Sequence, residues 1–435
     1  MAELRQKKVA LHTLGCRLNQ YESEKMAAEL YPFGFRRANP GESADLYIIN
    51  TCTVTHRADS DCRQIIKKAA RDNPRGRVVV VGCYVDGDPE LVSGIDGVHA
   101  VVRNSDKERI AQILPGQFPD LFDVEPDRSC STAISDFYGH NRAWLKVSDG
   151  CNQWCSFCII PTVRGRLTNR PALQIIEEVN SLVQNGYQEI VLTGVHLGHY
   201  KNRVAEPQMK NLAALCRTIL EQTSVARIRL SSLEPQTVRE ELVQVYAESS
   251  GRICRHMHLP LQSGSSRILK LMLRPYDQAL YISRVNAVRK AQPGTIVGAD
   301  VIVGFPGETD ADFQQTRRLA ESGLIDYLHV FSYSDRAGTP ASRMPDKIPS
   351  EVIKERNGIL TDLSDKLRAR ALARQIGETL NVIAEHKKQP DQSFWGISDN
   401  YLKVKLPSHI EGGKGVVRIR ITEAHADYVA GDVVV

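Results

Sequence analysis

Ten cysteines are spread over 435 residues, and six of them have spacings that chemistry can use. Three lie within eight positions in KVSDGCNQWCSFCII, at Cys151, Cys155 and Cys158. A C-x3-C-x2-C loop supplies three thiolates from one short segment, whereas an iron–sulfur cubane has four irons, each needing an external ligand. Three cysteines therefore leave one iron open, and an open metal position takes a substrate or cofactor where a closed one only holds structure. Zinc is the plainer alternative, but its sites commonly match one C-x2-C pair with a second, and none follows here.

A second trio is scattered rather than clustered. Cys16 follows KVALHTLG, Cys52 follows ADLYIINT and Cys83 closes GRVVVVGC, three apolar runs that read as β-strands bounded by turn residues. Each cysteine thus stands at the carboxyl end of a predicted strand, the edge where open α/β sheets gather their ligands. Equivalent placement lets the three thiols meet in space, although each taken singly can be a small buried hydrophobe. Structural or incidental roles are expected for Cys62 in a helical run, Cys130 in a polar passage, Cys216 in LAALCRTIL and Cys254 in GRICRH.

The elements that must position these residues fall into three regions of an α/β chain. Residues 1–122 alternate strand and helix patterns at βαβ spacing and predict a small doubly wound domain with a parallel sheet. Residues 123–140, rich in Pro, Ser and Asp and without periodicity, read as a linker. Residues 141–370 carry six strand candidates, AWLKVSD, EIVLTGV, RIRLSSL, HMHLPLQ, ADVIVGF and YLHVFSY, separated by helical patterns and followed by one long helix from about Pro349. They predict a (β/α)6 partial barrel whose chemistry belongs at the C-terminal strand ends, and the cysteine loop lies just after its first strand. Residues 371–435 alternate in YLKVKL, GVVRIRITEA and GDVVV and predict a small β-barrel of the kind that often binds oligonucleotides.

Composition narrows the class. Apolar residues make up 42% of the chain, enough to fill two or three cores. The polar start MAELRQKK lacks the apolar stretch of a secretory signal, and no apolar run approaches the roughly 20 residues of a membrane span. A cytoplasmic protein is expected, with reduced thiols that bind metal or react rather than pair. The net charge of +5 is compatible with a nucleic-acid partner without demanding one. No nucleophile elbow or phosphate loop is present.

With the part-barrel that follows it, CNQWCSFC resembles the cysteine loop of the radical S-adenosylmethionine (SAM) superfamily. That resemblance implies that SAM chelates the open iron and that an electron from the cluster cleaves it to methionine and a 5′-deoxyadenosyl radical, the protein positioning the cofactor. It also implies cofactor contacts. Phe157 matches the aromatic near the adenine, with ordinary loop packing as the alternative. Thr193, Gly194 and Val195 depart from the usual two glycines and acid, which leaves the contact to the backbone. Gln262 lies in HLPLQSGS, and Val303 and Gly304 lie in VGFPGET, a Gly/Pro turn that admits close approach of a ligand or is simply a tight turn.

TLGCRLNQYESE, INTCTVTHRAD and VVVGCYV closely resemble the N-terminal domain of methylthiotransferases, whose three corresponding cysteines hold an auxiliary 4Fe-4S cluster. The likeness runs on through CIIPTVRGRLTNRP, RLSSLEP, HLPLQSGS and MLRPY into a TRAM-type RNA-binding barrel, and so covers essentially the whole chain. It implies two 4Fe-4S clusters, one on Cys16, Cys52 and Cys83 and one on Cys151, Cys155 and Cys158. One SAM would methylate a sulfur held at the auxiliary cluster. A second SAM would yield the radical that removes hydrogen from a target carbon, which then captures the methylthio group.

NTCTVTHRADSDCRQIIKKA looks most like the threonylcarbamoyladenosine subgroup. The expected substrate is therefore N6-threonylcarbamoyladenosine at position 37 of tRNA, modified at C2. Isopentenyladenosine in tRNA and a ribosomal-protein aspartate are the family alternatives. Expected partners are the tRNA anticodon stem-loop, SAM, an electron donor and a sulfur source. RNA contacts are expected from Lys387, Lys388, Lys403, Lys405, Lys414, Arg418 and Arg420, with Tyr401 and Trp395 available to stack. Arg164, Arg166 and Arg170 would meet RNA or SAM, or else sit in a solvated face or internal ion pairs. Two readings of another class stay open: a non-catalytic iron–sulfur or zinc-stabilised RNA-binding protein, and a redox or scaffold protein whose cysteines form disulfides or transfer electrons.

Overall fold

A computed structural model describes residues 6–202, 209–410 and 412–434; the first five residues of the polar N-terminal segment lie outside them. The chain divides into two compact units. One comprises Met1–Asp136, Gly150–Gln153 and Cys158–Leu167, and the other Phe137–Asp149, Trp154–Phe157 and Thr168–Val435. The boundary at 136/137 falls inside the segment read as a linker.

The smaller unit is built on a five-stranded parallel sheet in the order Phe35–Arg37, Lys7–Thr13, Leu46–Thr51, Arg77–Gly82, Ala100–Val102. Successive side chains of a strand point to opposite faces, so Tyr47, Ile49, Val78 and Val80 pack with Cys62, Ile66 and Ala69 of the helix His56–Asp72. Leu46, Ile48, Val79 and Val81 pack on the other side with Met26 and Leu30 of the helix Arg17–Leu30. Helices on both faces explain why the central strands are continuously apolar. Strand order reverses between Lys7–Thr13 and Leu46–Thr51, and in such sheets the crevice at the reversal is where ligands bind. The edge strand Phe35–Arg37 escapes the sequence reading because three residues are too few to show alternation.

In the larger unit, Ala143–Lys146, Glu189–Thr193 and Arg227–Leu230 form one parallel group and His256–His258, Ile296–Val303 and Tyr327–Ser332 another. A parallel bridge between Ile228 and Ile253 joins them. Six strands whose spatial order equals their chain order, alternating with helices, make the (β/α)6 partial barrel. The long helix Ser350–Ala373 leads into a closed five-stranded barrel of Thr379–Lys388, Phe394–Ser398, Lys403–Lys405, Val416–Ala424 and Val429–Val433. Closure leaves no open strand edge. Ala371 and Leu372 at the helix end share the small barrel's core with Leu380, Val404 and Ile419.

Buried charge fixes that barrel to the central strands. Glu189, fully buried, accepts from Arg227 Nε and Arg229 Nε at 2.7 Å each. Burial alone would raise its pKa, but the two guanidinium groups hold it well below the usual carboxylate range. Arg227 also donates to the carbonyl of Asn381 at 2.7 Å, and Arg229 to those of Ser398 and Asp399 at 2.9 and 3.1 Å. No described helix is long and apolar enough to cross a membrane.

Two candidate metal centres

The strands Lys7–Thr13, Leu46–Thr51 and Arg77–Gly82 are neighbours, so their carboxyl ends bring Cys16, Cys52 and Cys83 to one edge of the sheet. A Cβ on Gly15 would lie 2.7 Å from Cys52 Cβ and 3.0 Å from its Sγ, which shows how closely the first loop lies against the second cysteine. Gly15 and Gly82, each just before a cysteine of the trio, have φ of +92° and +101°, open to glycine at little cost. Cys83 is buried, Cys52 partly buried and Cys16 exposed. Burial, reinforced by the neighbouring thiols of Cys83 and Cys16, pushes Cys52 up to about 11. Such a donor set suits a multiply charged cation, which deprotonates a coordinating thiol outright.

Beside these thiols lies a charge cluster that spacing does not reveal. Glu22 accepts from Lys107 Nζ at 2.7 Å and from Arg164 Nη1 at 2.9 Å, and all three side chains are almost completely buried. Two cations around one carboxylate leave an excess of one positive charge. Arg164 also donates to Asn19 Oδ1, while Asn19 Nδ2 donates to the carbonyls of Leu14 at 2.7 Å and Thr51 at 3.0 Å. One asparagine thus ties the Cys16 loop to the strand before Cys52. Arg164 is accordingly an internal ion-pair residue rather than an RNA contact.

Cys62 takes no part in the edge. Its Sγ donates to the carbonyl of Cys52 at 3.3 Å, it packs in the core with Ile49 and Ile66, and burial pushes it up to about 12. Cys216 and Cys254 are likewise buried and pushed up to about 12 by burial. All ten cysteines are free thiols.

The second trio is held locally. Gly150, φ +67°, repeats the Gly–Cys step; a Cβ there would lie 2.2 Å from the carbonyl oxygen of Arg166. Cys151 N–H donates to the carbonyl of Gly165 at 3.1 Å, and Gln153 N–H donates to Cys151 Sγ at 3.3 Å. Cys155 is buried in the larger unit and accepts from Arg274 Nη1 at 3.1 Å. Phe157 packs edge-on to Phe305 at 6.5 Å, and Trp154 is 63% exposed.

The other residues singled out from the sequence divide. Thr193 is buried at its strand end, with Val195 half-buried two residues on. A Cβ on Gly194 would lie 2.3 Å from Ser148 Oγ, a buried hydroxyl without a hydrogen-bond partner among the described residues. Gln262, φ +62°, is bonded through its backbone to Asp300 and Ile302 at 2.8 and 2.9 Å. Val303 is fully buried core. Gly304, φ +77°, donates to Glu308 Oε2 at 2.9 Å, and Ile353 fills the space where its Cβ would stand. The tight turn therefore accounts for Val303 and Gly304. Sequence reasoning missed His258, Asp300 and His329, which share one face of three adjacent strands with ligand atoms within 4.8 Å of one another. Polar residues at alternate positions in otherwise apolar strands were the available signal.

The basic residues are less uniformly available than their spacing implies. Arg170 is paired to Glu178 at 2.7 Å, whereas Arg166 is exposed. Lys403 and Lys405 pair with Asp427 and Asp391 at 3.4 and 2.8 Å, and Lys414 lies 3.7 Å over the Tyr187 ring. Lys387, Lys388, Arg418 and Arg420 are exposed. Tyr401 packs under Arg229 at 5.1 Å and beside His256 at 4.5 Å, so it faces the central strands instead of offering a stacking surface. Trp395 already carries the Lys403 ammonium 3.8 Å from its ring centre, a cation–π contact that takes up the face expected for a base.

Residues 8–103 match the Uncharacterized protein family UPF0004, and residues 145–320 match the Radical SAM superfamily. Over 98% of this chain and 96% of the relative, the sequence is 37% identical to the threonylcarbamoyladenosine tRNA methylthiotransferase MtaB of Bacillus subtilis. It is 30% identical to the tRNA-2-methylthio-N(6)-dimethylallyladenosine synthase of Acetivibrio thermocellus, over 99% of this chain and 92% of the relative. Among solved structures, the radical S-adenosylmethionine methyltransferase TsrM of Kitasatospora setae superposes with a TM-score of 0.57 at 13% identity, covering 88% of this chain and 79% of that one, a likeness of fold alone. Near-complete coverage at this identity settles the kinship: the chain belongs to the radical SAM methylthiotransferase family, in the threonylcarbamoyladenosine tRNA subgroup.

Proposed function

We propose that this enzyme methylthiolates C2 of N6-threonylcarbamoyladenosine at position 37 of tRNA, with Cys16, Cys52 and Cys83 holding an auxiliary 4Fe-4S cluster and Cys151, Cys155 and Cys158 a SAM-binding one. The observation that carries this reading is the meeting of Cys16, Cys52 and Cys83 at the ligand edge of a doubly wound sheet, because a radical generator alone has no use for a second trio. When bound, the clusters and SAM supply the radical that removes hydrogen from the base and the methylthio group that replaces it.

The chain's own residues hold and orient these groups. The excess positive charge of Lys107 and Arg164 over Glu22 favours an anionic sulfur species at the neighbouring trio. Gly194 keeps the strand end beside Ser148 uncrowded, so backbone and hydroxyl remain for the polar end of SAM. Phe157, half-buried beside Phe305, offers its ring to the adenine, and Gln262 presents its side chain from a left-handed turn. His258, Asp300 and His329 give the strand face hydrogen-bonding groups suited to a modified purine. Exposed Lys387, Arg418 and Arg420 supply phosphate contacts on the small barrel. An electron donor and a sulfur source complete the reaction in the cytoplasm.

The test is mass spectrometry of tRNA nucleosides from cells with and without the enzyme. The 2-methylthio derivative of threonylcarbamoyladenosine should vanish on deletion, leaving its precursor. An unchanged level, or loss of the isopentenyladenosine derivative instead, would refute the substrate.

A further inference from the structure

Arg274 is not a cysteine-loop residue, yet it holds one of the loop thiols. Its Nη1 donates to Cys155 Sγ at 3.1 Å and its Nε to the Tyr276 hydroxyl at 3.1 Å, while Nη2 pairs with Glu234. The side chain is only 3% exposed, so a full positive charge has been drawn out of water and shared between one carboxylate and one sulfur. The surroundings are built rather than incidental. Ser156 N–H donates to the Met272 carbonyl at 3.1 Å and Ser156 Oγ to the Leu271 carbonyl at 2.8 Å, so the same segment grips the residue next to Cys155. Leu273, at φ +56°, takes the left-handed conformation that ends the helix Ser266–Leu271, a position more usual for glycine.

We propose that Arg274 is a positioning residue that sets the electron affinity of the cluster held by Cys151, Cys155 and Cys158, with Glu234 acting as its counterweight. The proposal rests on the assignment of those cysteines as ligands. Reduction adds negative charge to a cluster, and hydrogen bonds to its sulfurs are among the levers that set its potential. A buried guanidinium donating to Cys155 Sγ stabilises the reduced state. The Glu234 carboxylate, paired to that guanidinium, offsets part of the effect.

The test is an EPR-monitored redox titration of the full-length, anaerobically reconstituted protein, following the part of the signal that changes when SAM is added. R274Q should lower the midpoint potential by about 59 mV, equivalent to about a tenfold fall in the reduced-to-oxidised ratio for one electron. E234Q should shift it the other way, and R274K, which keeps the charge, should lie between R274Q and the wild type. An E234Q potential equal to wild type overturns the proposal even where R274Q folds poorly, and so does an R274K shift as large as that of R274Q. A wild-type protein with no SAM-sensitive signal removes the ligand assignment itself, and the proposal with it.

Discussion

The trio Cys16, Cys52 and Cys83 exists only when three parallel strands are paired in register, whereas Cys151, Cys155 and Cys158 are kept near one another by the seven peptide bonds between first and last. The first site is a property of tertiary structure and the second of a loop. Both have a buried arginine close by, but the pairing differs: Arg164 reaches the strand-end trio through Asn19 and Glu22, while Arg274 donates directly to a loop sulfur. The contrast teaches that a three-thiol site can be assembled by long-range or local means, and that its sensitivity to mutation should follow from which was used.

The strongest test of this division removes one proposed ligand from each site. Cys16→Ala and Cys151→Ala should each lower bound iron from about eight to about four per chain, as loss of one cubane requires. Cys151→Ala should abolish formation of 5′-deoxyadenosine, whereas Cys16→Ala should spare it and stop methylthio insertion. Loss of SAM cleavage in both would mean that the two sites are not separable. Next in size is Glu22→Gln, which removes the buried carboxylate charge that Lys107 and Arg164 share. A cost of about 3–5 kcal/mol is expected in urea denaturation, with the smaller unit losing its structure first.

Glycine replacements sharpen the comparison further. Gly165→Ala imposes an unfavourable φ of +72° in open space and should cost about 1–3 kcal/mol. Gly15→Ala adds a collision with Cys52 and should cost more in thermal denaturation, while also lowering iron at the strand-end trio. Smallest is Cys62→Ala, a core truncation expected to cost about 1 kcal/mol and leave the iron count unchanged. A fall in iron there would make Cys62 a ligand and erase the boundary between site and core.

Much of this is legible in the sequence, for physical reasons that differ by element. Strand ends could be read because residues 46–49 and 78–81 are buried on both faces and therefore continuously apolar. Cys151, Cys155 and Cys158 could be read because their spacing is itself the chemistry. The Gly–Cys step at Gly15, Gly82 and Gly150 is present in the sequence but silent there, as glycine's need for positive φ shows only once the backbone is placed. Glu22, Lys107 and Arg164 were out of reach: they are 85 and 142 residues apart, and each alone is an ordinary surface type. The same holds for Tyr401 and Trp395, whose rings are occupied by Arg229 and Lys403 from other elements.

The Arg164–Glu22 pair also acts as a short leash. From Cys158 the chain runs two residues to Ile160 and then through the single helical turn Ile160–Arg164. At about 3.6 Å per extended residue and 1.5 Å per helical one, the Cα of Cys158 stays within about 13 Å of that of Arg164. While the buried pair holds, the last cysteine of the loop travels with the sheet that carries Cys16, Cys52 and Cys83.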